Sequence, residues 1–323
     1  MKKTLLTTFS IALLYSGATR AKTSQNEMFP LPLVHVPTQQ AFSQFIFLVD
    51  KSKRLMRIYE TQSGGVVQIE EHPTDIGKND GNKTKRDDHK TPEGIYFLQK
   101  KLTQPEIPFD TYGEIAFTTD YPNFFDRFDS KTGSGIWLHA IPDKVPLTRG
   151  SRGCVIVRNN VIKKLQNIIE LEKTPLIIYN QIEDIDLQKR DQLYSEVQKF
   201  LKDWTTAWQS QNPDEYLKYY SEKFTAPQFN YKSWSKHKRN LAKAYEFIKV
   251  ELSEPLVLIH KDQLVIRTVQ KYESNQHKDT GVKTIYALKE DSQYRIIREE
   301  WTATQEPQIS VQAQSLLIKH IIN

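Results

Sequence analysis

One cysteine, Cys154, is all the thiol chemistry that 323 residues offer. A thiol without a partner excludes an intrachain disulfide framework and leaves two roles, a small buried hydrophobe or a reactive group. Glycine is nearly missing from the second half, for of 12 in the chain only Gly281 lies beyond Gly153. Tryptophan runs the other way, with Trp137 in the first part and Trp204, Trp208, Trp234 and Trp301 in the second, so the chain reads as two differently built domains. No Cys/His ligand spacing exists, and adjacent Asp87, Asp88 and His89 read as solvated loop polars, so no metal is expected. No acidic residue occurs among residues 1–21, which combine Lys2 and Lys3, an apolar stretch from Leu5 to Tyr15, and small residues before Lys22. That stretch is too short and too interrupted by Thr and Ser to span a bilayer, which predicts an export signal cleaved after Ala21 and a periplasmic protein without stable membrane insertion. The formal charge of +6, less the three cations of that segment (Lys2, Lys3, Arg20), is +3, a mild basic bias that does not indicate nucleic acid.

What is present suits a folded chain, since 38% hydrophobic and 11% aromatic content can fill a substantial core. Residues 22–43 form a lead-in, with 22–40 expected to be exposed. Strand-like runs follow at 45–49, 55–59, 66–70, 94–99, 115–118, 135–139, 155–157 and 175–179, separated by Gly, Pro, Asp and Asn, which predicts a mostly antiparallel sandwich or barrel over 44–182. Asn159 and Asn160 offer an N-cap for a helix carrying Val161, Ile162, Leu165, Ile168 and Ile169. From 188 the period becomes helical, with a stripe from Leu193 to Trp208. A short helix after Asn212-Pro213 and a helical segment near 241–247 precede strand candidates at 248–252, 257–260, 263–272, 282–290 and 294–302. This predicts an α+β domain over 188–305. Residues 306–323 are expected as a helix that packs back on a domain. The basic and aromatic run from Lys232 to Arg239 reads as a charged helix or loop face.

Cys154 lies in Ser151-Arg152-Gly153-Cys154-Val155, and His139 ends Gly135-Ile136-Trp137-Leu138-His139. A lone thiol in an oxidising compartment is at risk of oxidation, so its presence beside a histidine-bearing strand favours chemistry over packing. A cysteine nucleophile needs a base, a group that orients the base, and donors aimed at the oxyanion. His139 is the candidate base and the Ala140 backbone carbonyl a candidate for orienting it. The amides of Gly153 and Cys154 are candidates for the oxyanion hole. Arg152 suits a substrate carboxylate, because guanidinium grips one bidentately; Ser151, Trp137 and Arg158 are further candidates for substrate contact.

The segments Ile76-Gly77-Lys78-Asn79-Asp80-Gly81-Asn82-Lys83-Thr84 and Lys90-Thr91-Pro92-Glu93-Gly94-Ile95-Tyr96, then His139, then Ser151 to Val155, resemble the LD-transpeptidase (YkuD-type) catalytic domain in order and over 44–180. The resemblance implies a cofactor-free enzyme whose Cys154 attacks murein stem peptides at the bond between diaminopimelate and terminal D-alanine. A thioester follows; water then gives a tripeptide, the LD-carboxypeptidase outcome, and an amine gives a cross-link, the LD-transpeptidase outcome. Arg152 stands where the family often has His, Ala140 follows His139 where Gly is usual, and Ile156 stands where Arg is frequent. Residues 200–208, 216–224 and the strands ending at Trp301 resemble the NTF2-like cone, which often holds a pocket. The combination is similar to the cell-shape-determining LD-carboxypeptidases of helical Gram-negative bacteria, with a homodimer or cell-shape proteins as possible partners. Hydrolysis is the favoured outcome, on the expectation that the second domain caps the cleft and admits water alone. The readings set against it are a transpeptidase and a non-catalytic murein-binding protein.

Overall fold

The computed structural model describes residues 28–63, 65–148 and 150–304. The expected export signal and the helix at 306–323 lie outside these residues. The lead-in is exposed only in part where it is described, at Met28, Thr38 and Gln40. Strands β1 (Met28–Pro30) and β2 (Leu33–His35) pair antiparallel with Asp184–Asp186 and Leu256–His260, and Phe29, Leu33, Val34 and Val36 are buried. The polar composition of 22–40 concealed this, because only the apolar residues clustered at 29–36 take part.

The first domain runs through β3 (Phe45–Asp50), β4 (Leu55–Gln62), β5 (Gly65–Pro73), β6 (Gly94–Thr103), α1 (Phe109–Tyr112), β7 (Ile115–Thr119), α2 (Phe124–Phe128), β8 (Trp137–Ile141), β9 (Val155–Arg158), α3 (Asn159–Leu165) and β10 (Pro175–Tyr179). Its strands form one sheet in the order β5-β4-β3-β10-β6-β7-β8-β9. Most pairs are antiparallel as expected, but β3 with β10 and β8 with β9 are parallel. The parallel strands are the near-continuous apolar runs, Phe-Ile-Phe-Leu-Val and Pro-Leu-Ile-Ile-Tyr, which suit positions buried on both faces. Asn159 does not cap α3. It is the first helical residue, and its amide donates to Ile141 O (3.0 Å) and accepts from Glu114 N (3.0 Å), fastening the helix to the end of β8.

After β11 (Asp184–Asp186) the long helix α4 (Leu187–Gln209) starts at Asp186, whose side chain accepts from Lys189 N, and it buries the stripe Leu193, Val197, Phe200, Leu201, Trp204, Ala207 and Trp208. Helix α5 (Pro213–Leu217) is capped by Asn212. A two-residue ladder, β12 (Thr225–Ala226) with β13 (Phe229–Asn230), leads into α6 (Tyr231–Ala244). This helix starts ten residues before the segment expected near 241–247, because Asn230 and Ser233 form a capping box. Strands β14 (Ile248–Leu252), β15 (Leu256–His260), β16 (Gln263–Ser274), β17 (Lys278–Glu290) and β18 (Gln293–Ala303) build an antiparallel sheet that wraps the helices.

The two domains share a core. Leu48, Phe97, Phe124, Phe125 and Tyr179 of the first pack with Leu256, Leu258, Val265, Tyr286 and Ile297 of the second. Lys51 and Glu93 form a buried ion pair (3.0 Å), and Lys261 crosses from β15 to the same carboxylate (3.2 Å). An apolar junction of this kind opposes independent motion of the domains.

Candidate active site

The parallel register of β8 and β9 sets Leu138 beside Val155, which puts Cys154 next to Trp137 and one step from His139 on the adjacent strand. Both residues line one cavity of about 620 Å³. One wall comes from 110–112 and the other from Val145, Pro146, Thr148 and Gly150, and Ile156 lies in the lining.

His139 is buried, and its Nδ1 lies 2.6 Å from Ala140 O. A carbonyl only accepts, so Nδ1 carries the hydrogen and Nε2 the lone pair that a general base requires. Burial lowers the imidazole from 6.5 to about 4, against the raising effects of the Ala140 bond and the Asp75 charge. The edge of the ring meets Tyr112 at 5.0 Å between centroids. Cys154 is half-buried, its Sγ 3.5 Å from Gly135 O. Burial pushes the thiol up to about 11, offset in part by a backbone hydrogen bond from the Trp137 region and by the charges of Arg152 and Lys83. The resting pair is therefore neutral at neutral pH.

Several sequence expectations change in detail. Gly153 N donates to Ser151 Oγ (3.0 Å), so it is already engaged and does not serve as an oxyanion donor. Ser151 Oγ in turn donates to Cys154 O (2.8 Å), so this side chain locks the turn rather than reaching for substrate. Gly153 has φ +129°, and a Cβ there would sit 2.7 Å from Lys90 O, which is why glycine precedes the cysteine. Trp137 does not line the cavity; its ring packs on Tyr112 (4.8 Å) and supports it. Arg158 also lies outside the lining, and its guanidinium donates to Asp143 O (3.4 Å) and Val145 O (2.5 Å). Arg152 is exposed at the cavity rim, where a carboxylate can reach it.

Sequence reading missed Asp75, Tyr112 and Lys83. Lys83 is buried and donates to Asp88 Oδ1 (2.8 Å), while Asp88 also accepts from the amides of Thr84, Lys85 and Lys90. Asp88 is thus a loop staple, with its carboxyl held well below the ordinary range by Lys83 and these amides despite opposing burial. Lys83 lay within the quoted segment Ile76 to Thr84 without being singled out, and Asp75 and Tyr112 stand in no spacing that marks them.

Among the described residues none of the second domain lines this cavity, against the expectation that this domain caps the cleft. The second domain has a cavity of its own, about 250 Å³, walled by Trp208, Tyr216 and Tyr272. Lys238, expected on a solvated face, instead points its Nζ over Trp208 (4.5 Å), Trp234 (4.6 Å) and Tyr216 (4.9 Å), and burial lowers it to about 8. Behind it Glu299 pairs with Lys283 (2.8 Å) and accepts from Tyr220.

Residues 44–178 match the L,D-transpeptidase catalytic domain (YkuD), and residues 196–300 match the Cds6 C-terminal NTF2-like domain. No curated protein matches the chain. The solved structure of Bdellovibrio bacteriovorus Bd1075 is 51% identical, with a TM-score of 0.80 over 87% of this chain and 100% of that one. The helical cell shape determining protein Pgp2 from Campylobacter jejuni is 27% identical, with a TM-score of 0.67 over 80% of this chain and 92% of that one.

Proposed function

The chain belongs to the L,D-transpeptidase (YkuD) family of enzymes and joins that catalytic domain to an NTF2-like domain, and on this premise we propose that it trims murein tetrapeptide stems to tripeptides outside the cytoplasm, with Cys154 as nucleophile and His139 as base. The observation that carries this reading is the pairing of Cys154 with a histidine whose Nδ1 is committed to Ala140 O, both facing one cavity.

Cys154 Sγ attacks the carbonyl carbon between diaminopimelate and D-alanine while its proton passes to His139 Nε2. The C–N bond then breaks, and Nε2 returns the proton to the leaving amine. Water attacks the thioester, giving a proton to Nε2; the C–S bond breaks, and the sulfur takes that proton back. The Cys154 amide is the backbone donor for the oxyanion, since Gly153 N is engaged. Arg152 at the rim receives the terminal carboxylate of the stem. The cavity volume suits one stem terminus. Similarity to a protein described as determining helical cell shape supports a role in cell shape for the trimmed product. None of the described residues of the NTF2-like domain lines the thiol cavity, and the part proposed for this domain is recognition through its own cavity.

Digestion of disaccharide tetrapeptide by the full mature chain, followed by mass spectrometry with an amine acceptor present, tests this. Tripeptide that disappears with Cys154→Ala is expected. An amide-linked product as the main Cys154-dependent species makes transpeptidation the function instead.

A further inference from the structure

The mechanism above leaves one buried carboxylate at the cavity unused. Asp75 follows β5, lines the same cavity as Cys154 and His139, and has a side chain only 4% exposed. Its backbone is bonded both ways to Ile156 on β9, from Asp75 N to Ile156 O (2.8 Å) and from Ile156 N to Asp75 O (2.9 Å), so the residue is fixed to the strand that follows the nucleophile. Oδ1 accepts from Ile76 N (3.0 Å) and Arg54 Nη2 (3.1 Å), while Oδ2 accepts from Gly150 N (2.9 Å). Arg54 Nη2 also donates to Leu147 O (2.7 Å). The carboxylate and its cation thus hold two points of the segment that forms one cavity wall and leads into Ser151. A surface carboxylate could do that much. Burial at the cavity that His139 also lines adds a second consequence, because the negative charge favours the protonated form of His139.

We propose that Asp75, fastened by Arg54, is a positioning residue of this site, holding the 147–150 wall and supplying the charge toward which the His139 imidazolium forms. His139 must take a proton from Cys154 in a pocket that disfavours cations, and no carboxylate bonds to its ring directly, since Nδ1 is given to Ala140 O. Asp75 therefore stabilises the thiolate–imidazolium arrangement from across the cavity rather than by contact. This rests on the assignment of Cys154 and His139 as nucleophile and base.

The test is the rate at which iodoacetamide, a neutral reagent, alkylates Cys154 in the full chain across a pH series, with tetrapeptide turnover measured beside it. Asp75→Asn keeps an oxygen that can accept from Gly150 N but removes the charge. The alkylation rate near neutral pH should fall roughly 3- to 10-fold, matching a change of about half to one pH unit in proton affinity, and kcat should fall more than KM rises. Arg54→Gln cuts the cation and its tie to Leu147 while retaining the carboxylate, so alkylation should hold or rise. Thermal melting identifies any variant that has not folded; where that variant is Asp75→Asn, Arg54→Gln carries the test alone and a fall in its alkylation rate overturns the proposal. Unchanged alkylation in Asp75→Asn, or an equal fall in both variants, overturns the proposal. Tetrapeptide turnover by the unaltered chain with no Asp75→Asn effect sinks this inference and spares the proposed function. An Asp75→Asn effect in a chain that never turns over tetrapeptide does the reverse.

Discussion

Replacing Gly153 by alanine sets two costs against the fold at once, and a second glycine separates them. At Gly153 the backbone has φ +129°, and a Cβ would lie 2.7 Å from Lys90 O and 2.8 Å from Ile136 Cδ1. The Ile136 methyl can rotate away, but the Lys90 carbonyl belongs to a loop stapled by Asp88, whose Oδ1 accepts from Lys90 N at 3.1 Å. A residue forced into this conformation loses about 1–3 kcal/mol, and overpacking against backbone adds about 1–3 kcal/mol. Gly135, on the other side of the thiol, has φ +73° and nothing within 4 Å of a built Cβ, so alanine there bears backbone strain alone, about 1–2 kcal/mol. Urea unfolding of the two variants, followed by tryptophan fluorescence, should show Gly153→Ala the more destabilised by at least about 1 kcal/mol. Its kcat should drop far more than its stability, because a shift of the nucleophile by about 1 Å can lower turnover by roughly 100-fold. Equal losses in the two variants would refute the close approach to Lys90 as the reason for glycine before the cysteine.

Acid sensitivity follows from two buried imidazoles. Burial lowers His139 and His260 from 6.5 to about 4, so at pH 5 the unfolded chain binds protons that the folded chain does not. Their stabilisation is complete above the unfolded value and lost as pH falls from there toward 4, by about 3 kcal/mol each at the limit. His260 is lowered by burial and by the nearby Lys261 and Lys131 charges, and His260→Leu should therefore lessen the difference in unfolding free energy between pH 7 and pH 4; an undiminished difference would assign the acid loss elsewhere. Glu93→Gln strips the buried Lys51 of its carboxylate and should cost about 3 kcal/mol in denaturant unfolding. Glu106→Gln, at the exposed pair with Lys100, should leave unfolding unaltered, and similar losses from both would contradict the burial argument.

The secondary structure was legible wherever periodicity was strong. The stripe from Leu193 to Trp208 and the alternating strands of the second sheet follow directly from residue spacing. Helix ends were read less well, as α6 shows, since a capping box of Asn and Ser is a weak signal beside the cluster of lysines that follows it. At the site, the meeting of Cys154 and His139 at one cavity and the bond of His139 to the Ala140 carbonyl were readable. The engagement of Gly153 N by Ser151 was not, because a Ser-Arg-Gly-Cys turn admits either direction for that amide. Trp137 and Arg158 looked equally suited to substrate, and only their packing against Tyr112 and the 143–145 carbonyls removes them from the cavity.

By itself the sequence determined the family resemblance and the division into two domains, since the ordered segments from Ile76 to Val155 and the contrast between glycine-rich and tryptophan-rich halves are local properties of the chain. Tertiary structure alone decided which groups meet. Asp75 reaches Gly150 across 75 residues, Arg54 reaches Leu147 across 93, and Tyr112 comes to rest on His139 only because the strands order as β6-β7-β8-β9. It also decided that the second domain shares a core with the first and supplies none of the described residues that line the thiol cavity. Spacing along a strand or helix dictates which face a side chain takes, but its partner across the sheet depends on strand order and register, which no local pattern specifies.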